Sequence, residues 1–99
     1  MPNDLDIKFS ETETKGRYAV SMSVRAEEAE MTYSKASPTL IVVDHTHVPD
    51  HMRGQGVADQ LAQKLIADAR DKGQKIMPLC PFLNSYMARH HDALKDVMQ

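Results

Sequence analysis

The sequence predicts a small fold that mixes helix and sheet (α+β / α/β): a mixed, mostly antiparallel sheet with two to three helices. Three observations carry this reading. Residues 17–24 and 29–33 alternate apolar and polar side chains, the period of half-buried strands. Thr39 to Val43 is a β-branched and apolar run, the mark of a central strand. An apolar stripe at 3.6 spacing over residues 56–72 is then followed by a second strand-like run, Lys75 to Leu79. The alternating pair predicts an antiparallel hairpin, and the strand–helix–strand succession predicts one parallel crossover.

Taken in order, Met1 to Asp6 is acidic and polar, is expected to fray, and is unlike a signal peptide. In the first strand Tyr18, Val20, Met22 and Val24 share one side, opposite Arg17, Ala19, Ser21 and Ser23. Arg25-Ala26-Glu27-Glu28 reads as a turn into Ala29, Met31 and Tyr33, and Ser37-Pro38 breaks the chain again. The strand that opens at Thr39 is expected to be buried on both faces as far as Val43. It runs on through Asp44-His45-Thr46-His47-Val48, where polar residues enter, and a Pro49-Asp50 turn closes it. The long helix buries Val57, Ala58, Leu61, Ala62, Leu65, Ile66 and Ala69. Arg70 and Lys72 suit its C-terminal dipole, and Gly73 stops it. Pro78 cannot donate to a sheet ladder. A second helix starts near Pro81 with Leu83, Tyr86 and Met87, and residues 92–98 continue it or turn. The predicted order is β-β-β-α-β-α.

The chain of 99 residues is read as one domain, 1–99. A chain of this size buries only about 60–65% of its unfolded surface, so a bound cofactor or a second copy in a homodimer would add to a thin core. Seven methionines help fill it, Met1, Met52 and Met98 least of all. A net charge of −2 gives no basic surface for nucleic acid or an anionic membrane. The longest purely apolar run, Leu40 to Val43, is far too short to span a bilayer. A lone cysteine, Cys80, leaves no internal disulfide, and the expected compartment is the cytoplasm.

Arg53-Gly54-Gln55-Gly56 lies between a strand and the strongest helix. Helix N-termini present unpaired N–H groups and positive potential, and glycines let backbone approach an anion closely. A pyrophosphate fits such a turn, with Arg53 adding charge. A tight, ligand-free turn between strand and helix reads equally well from the residues alone.

The stretch resembles the acetyl-coenzyme A motif of the GNAT acetyltransferases, Gln/Arg-x-x-Gly-x-Gly/Ala, with His51 in the first position. Tyr33-Ser34, Asp44-His45-Thr46, Val48-Pro49, Ala69-Arg70, Pro78-Leu79-Cys80-Pro81-Phe82, Tyr86 and His90 extend the likeness to the small, stand-alone GNAT-like N-acetyltransferase domains. His90-His91-Asp92-Ala93 departs from that group, which carries an aromatic residue where Ala93 stands. The resemblance implies a trimmed GNAT fold and an acetyl-CoA-dependent acetyl transfer to an amine acceptor. Val48, Arg53, Gly54, Gln55, Gly56, Val57 and Ala58 would hold the cofactor. The strands Thr39–Val48 and Lys75–Leu79 would splay around its pantetheine arm, with the acceptor side open. The alternatives are a module that binds acetyl-CoA or CoA without turnover and a small interaction domain.

Three residues are candidates for the chemistry. Cys80 stands between a strand and a helix, where a thiolate is favoured. It would accept the acetyl group or line the pocket, and the plain alternative is a buried small side chain. His45 would be a general base toward the acceptor amine or Cys80, or else a histidine bonded within the sheet. Tyr86 matches a family position from which tyrosines protonate the leaving thiolate, or else is a core tyrosine. His45, His47, His51, Cys80, His90 and His91 have no recognised metal-ligand spacing, and no metal is expected.

Overall fold

The computed structural model describes residues 7–21, 28–50 and 56–98. A five-stranded sheet runs in sequence order: β1 (Lys8–Glu11), β2 (Lys15–Ser21), β3 (Glu28–Ser37), β4 (Leu40–His47) and β5 (Lys75–Pro78). The first four strands pair antiparallel, and β4 and β5 pair parallel. The crossover between them is α1 (Val57–Lys72). After β5 come α2 (Pro81–Arg89) and a 3₁₀ helix (His91–Val97). The mixed, mostly antiparallel sheet is therefore as predicted. Met22, Val24 and residues 25–27 of the predicted turn lie outside the described residues.

The strand β1 was not expected. Its four residues are all exposed, so no apolar alternation announces it. It forms by pairing with β2, and Phe9 packs on Tyr18 with ring centres 4.7 Å apart. Ala19 is also buried, although it lies on the polar side of β2. It pairs with Lys8 and Glu30, whose long side chains flank its methyl group. β4 is covered on one face only: Ile41 and Val43 are buried, whereas Leu40 and Val42 are partly exposed.

One cluster forms the core. Tyr18, Val20, Ala29, Met31, Tyr33, Ile41 and Val43 supply the sheet side, and both α-helices and the 3₁₀ helix pack on that same face. The stripe of α1 is buried as predicted, with Leu61 and Leu65 fully so, each contributing about 2 kcal/mol of burial free energy. Ala58, at the edge of the stripe, is only half-buried. Gly73 ends the helix at φ 69°, and Gln74 N–H reaches back to the Ala69 carbonyl. Arg70 ties the 3₁₀ helix down by two bonds to Asp96, 2.6 and 3.0 Å, and one to the Ala93 carbonyl. Ala93 is exposed, so the missing aromatic leaves no hole in the core.

Two buried tyrosines lean on carboxylates. The Tyr18 hydroxyl donates to Asp68 at 2.6 Å, and the Tyr33 hydroxyl donates to Glu11 at 2.7 Å. Burial, then the adjacent carboxylate, pushes both phenols well above their ordinary range. A folded-state pKa raised above the unfolded one gives stability that is whole below about pH 10 and is lost as pH rises further. Unfolding free energy from urea titrations should therefore hold up to about pH 10 and then fall. The phenolate absorbance of Tyr18 and Tyr33 should appear only with unfolding. Early, reversible ionisation of both in the folded protein would contradict this.

Candidate functional site

The site begins with a bulge. Thr32 pairs with His45 and Tyr33 with Val43, so Asp44 is an extra residue in β4. An extra residue resets the alternation of side chains along a strand. Ile41 and Val43 face the helices, and beyond the bulge Thr46 does so instead of His45. Thr46 Oγ1 lies 3.1 Å from Cys80 Sγ in the core. His45 and His47 stack on the opposite face, rings 6.3 Å apart and 8° from parallel, and His45 Nε2 is 3.4 Å from Glu30 Oε2. The Asp44 carboxylate accepts from Thr32 Oγ1 at 2.7 Å and Ser34 Oγ at 3.1 Å.

The two parallel strands part at the same place. Their ladder ends at Val43 and Pro78. The Val43 carbonyl then accepts both the Leu79 N–H, 2.8 Å, and the Cys80 N–H, 3.2 Å. Beyond it, His45 to His47 pair with β3 alone and not with β5. Pro78 contributes to the parting because it has no N–H to donate. The chain then turns into α2, with Cys80 as N-cap and Pro81 in the first turn.

At the N-terminus of α1, Gly56 takes the left-handed conformation, φ 75° and ψ 15°, with no side-chain cap. Its carbonyl accepts the Gln60 N–H at 3.0 Å, so the amides of residues 57–59 have no acceptor within the helix. A Cβ on Gly56 would meet nothing within 4 Å. Among the described residues the approach to these amides is open, and the Asp59 carboxylate shares the terminus. Val57 is buried and Val48 packs against the core, so Val57 can offer its amide, not its side chain, at the helix end. His51, Arg53, Gly54 and Gln55 lie outside the described residues.

Cys80 is 4% exposed and reduced, and its carbonyl caps α2 through the Asn84 N–H. Tyr86 follows six residues later, about 9 Å along the helix axis. Its buried ring lies 4.4 Å from the His90 ring, 6.0 Å from Phe82 and 5.9 Å from the Arg89 guanidinium. Cys80 is thus brought against Thr46, while His45 points to the other face of the sheet, beside Glu30. Sequence reasoning did not pair Thr46 with Cys80, because a contact across 34 residues leaves no local signal. The polar entry at Asp44 was the visible trace of the bulge. Among the described residues no three His, Cys, Asp or Glu side chains come together as metal donors, and no helix is long and apolar enough to cross a membrane.

A family model described as GCN5-related N-acetyl-transferase matches residues 17–97. Among solved structures, the NMR solution structure of a GCN5-like putative N-acetyltransferase from Staphylococcus aureus is similar to this chain. The match covers 98% of this chain and 90% of that one, at 31% identity and a TM-score of 0.69. No curated protein matches.

Proposed function

The chain belongs to the GCN5-related N-acetyltransferase family, and on that footing we propose that it transfers an acetyl group from acetyl-coenzyme A to an amine acceptor in the cytoplasm. The parting of β4 from β5 at Val43, beside an uncapped left-handed Gly56, is the observation that carries this reading. Acetyl-CoA supplies an activated acyl carbon. The acceptor nitrogen bonds to that carbon, the carbon–sulfur bond breaks, and overall one proton passes from nitrogen to the departing sulfur.

The chain's own residues divide this work. Arg53, Gly54, Gln55, Gly56, Val57 and Ala58 hold the pyrophosphate, through backbone amides and the Arg53 cation. Val48 packs against the bound cofactor. The strand edge from Asp44 to His47 offers backbone groups to the pantetheine arm. Cys80 borders the reacting end, with the Thr46 hydroxyl to orient its sulfur. His45, on the outer face beside Glu30, takes the proton of the acceptor amine, and the Tyr86 hydroxyl returns a proton to the leaving thiolate.

Cys80 offers the direct test, because it is the one thiol in the chain. Saturating CoA should slow its alkylation by iodoacetamide at least tenfold, read by intact-protein mass spectrometry. An acetyl adduct formed with acetyl-CoA and discharged by an amine would assign it a covalent role; protection without an adduct makes it a wall of the pocket. Alkylation at the same rate with and without CoA would overturn its placement.

A further inference from the structure

The helices cover one face of the sheet, and the other face carries a groove of about 400 Å³ that crosses β1 to β4. Ser10, Lys15, Arg17, Thr32 and Asp44 are among its lining residues. Its charges fall into two sets. Arg17 is neutralised by Glu30 at 2.7 Å and Glu28 at 2.9 Å. Glu11 is held by the Tyr33 hydroxyl and by Lys35 at 3.1 Å, which keep its carboxyl below the usual range. Two lining charges remain without an opposite charge among the described residues. Among the described residues Asp44 receives only hydroxyl hydrogen bonds and Lys15 forms no ion pair. They stand at opposite ends of one path. Lys15 pairs with Ser34 and Ser34 with Val42, so two strand spacings, about 10 Å, separate β2 from β4 here. The anionic end adjoins Val43, where β4 and β5 part.

We propose that this groove is the acceptor site, and that it selects a primary amine whose far end is anionic or neutral over a polyamine. The assignment rests on the acetyl-transfer reading above. Asp44 attracts the ammonium group to the end nearest the strand parting. Thr32 and Ser34 hydroxyls hold the Asp44 carboxylate in place, and Lys15 meets the far end of the ligand. A carboxylate there is attracted and a second ammonium repelled, so one exposed lysine supplies both selection and rejection.

Two probes of equal length separate these charges: 6-aminohexanoate and 1,6-diaminohexane. Each is titrated into the full chain, alone and with saturating CoA, and followed by amide chemical shifts. The expected result is movement of the Ser10, Thr32 and Asp44 amides, with 6-aminohexanoate binding at least fivefold more tightly. Lys15→Glu should reverse that order, and Asp44→Asn should weaken both probes about tenfold. Equal affinity for the two probes, or an order that Lys15→Glu does not alter, overturns the selection. Shifts confined to other parts of the surface overturn the groove itself. Failure of CoA to bind in the same samples would instead count against the acetyl-transfer reading, so the two failures are distinct.

Discussion

Acetyl-coenzyme A at a hundredfold excess over its Kd should raise the melting temperature on the order of 10–20 °C, and Gly56→Asn should remove the rise. Binding at that excess stabilises the native state by about 2.7 kcal/mol, which a domain of this size turns into a large thermal shift. Gly56 is the lever because it does two separable things. Its φ of 75° is a conformation that most side chains resist, and its missing Cβ leaves the helix amides open to a ligand. Asparagine tolerates the left-handed conformation, so Gly56→Asn should leave the ligand-free melting point within a few degrees while placing a side chain in the approach. Gly56→Val should lose the shift too, with an added cost of about 1–2 kcal/mol to the free protein from backbone strain. Differential scanning fluorimetry over a ligand series reads both. A full shift in Gly56→Asn would show that the phosphates lie elsewhere.

The largest loss of stability is expected from Gly16→Val. Gly16 pairs with Tyr33 across β2 and β3, and the Tyr33 ring lies over it. A Cβ on Gly16 would fall within the space of the ring and its hydroxyl oxygen. The ring cannot simply swing away. Tyr33 is 2% exposed, it packs 6.3 Å from Tyr18, and its hydroxyl is committed to Glu11. Overpacking and a broken, partly buried hydrogen bond together predict a loss of roughly 2–4 kcal/mol in urea denaturation. Tyr33→Leu should be costly by itself but should make a second change at Gly16 nearly harmless, a strong positive coupling between the two sites. Simple additivity would show that the clash is relieved elsewhere.

Much of the fold was legible because it rests on local periodicity. The alternation at Tyr18, Val20, Ala29, Met31 and Tyr33 and the stripe from Val57 to Ala69 mark the side chains that form the core. Gly73 and Pro81 also stand where their backbone preferences put them, just after α1 and in the first turn of α2. β1 was invisible for the complementary reason: all four of its residues are exposed, and its existence depends on the β2 edge it pairs with.

Composition, the apolar periods and the glycine stop of α1 were determined by the sequence alone, since each depends on residues within a few positions of one another. Only the tertiary structure decided which way the polar residues of β4 face. One unpaired residue, Asp44, turns Thr46 toward Cys80 and sends His45 to the outer face with Glu30. A bulge depends on the register of two strands, and register is settled by the burial of a whole face at once. The partners of Thr46 and His45 lie 34 and 15 positions away in the chain, and only the folded register brings them into contact.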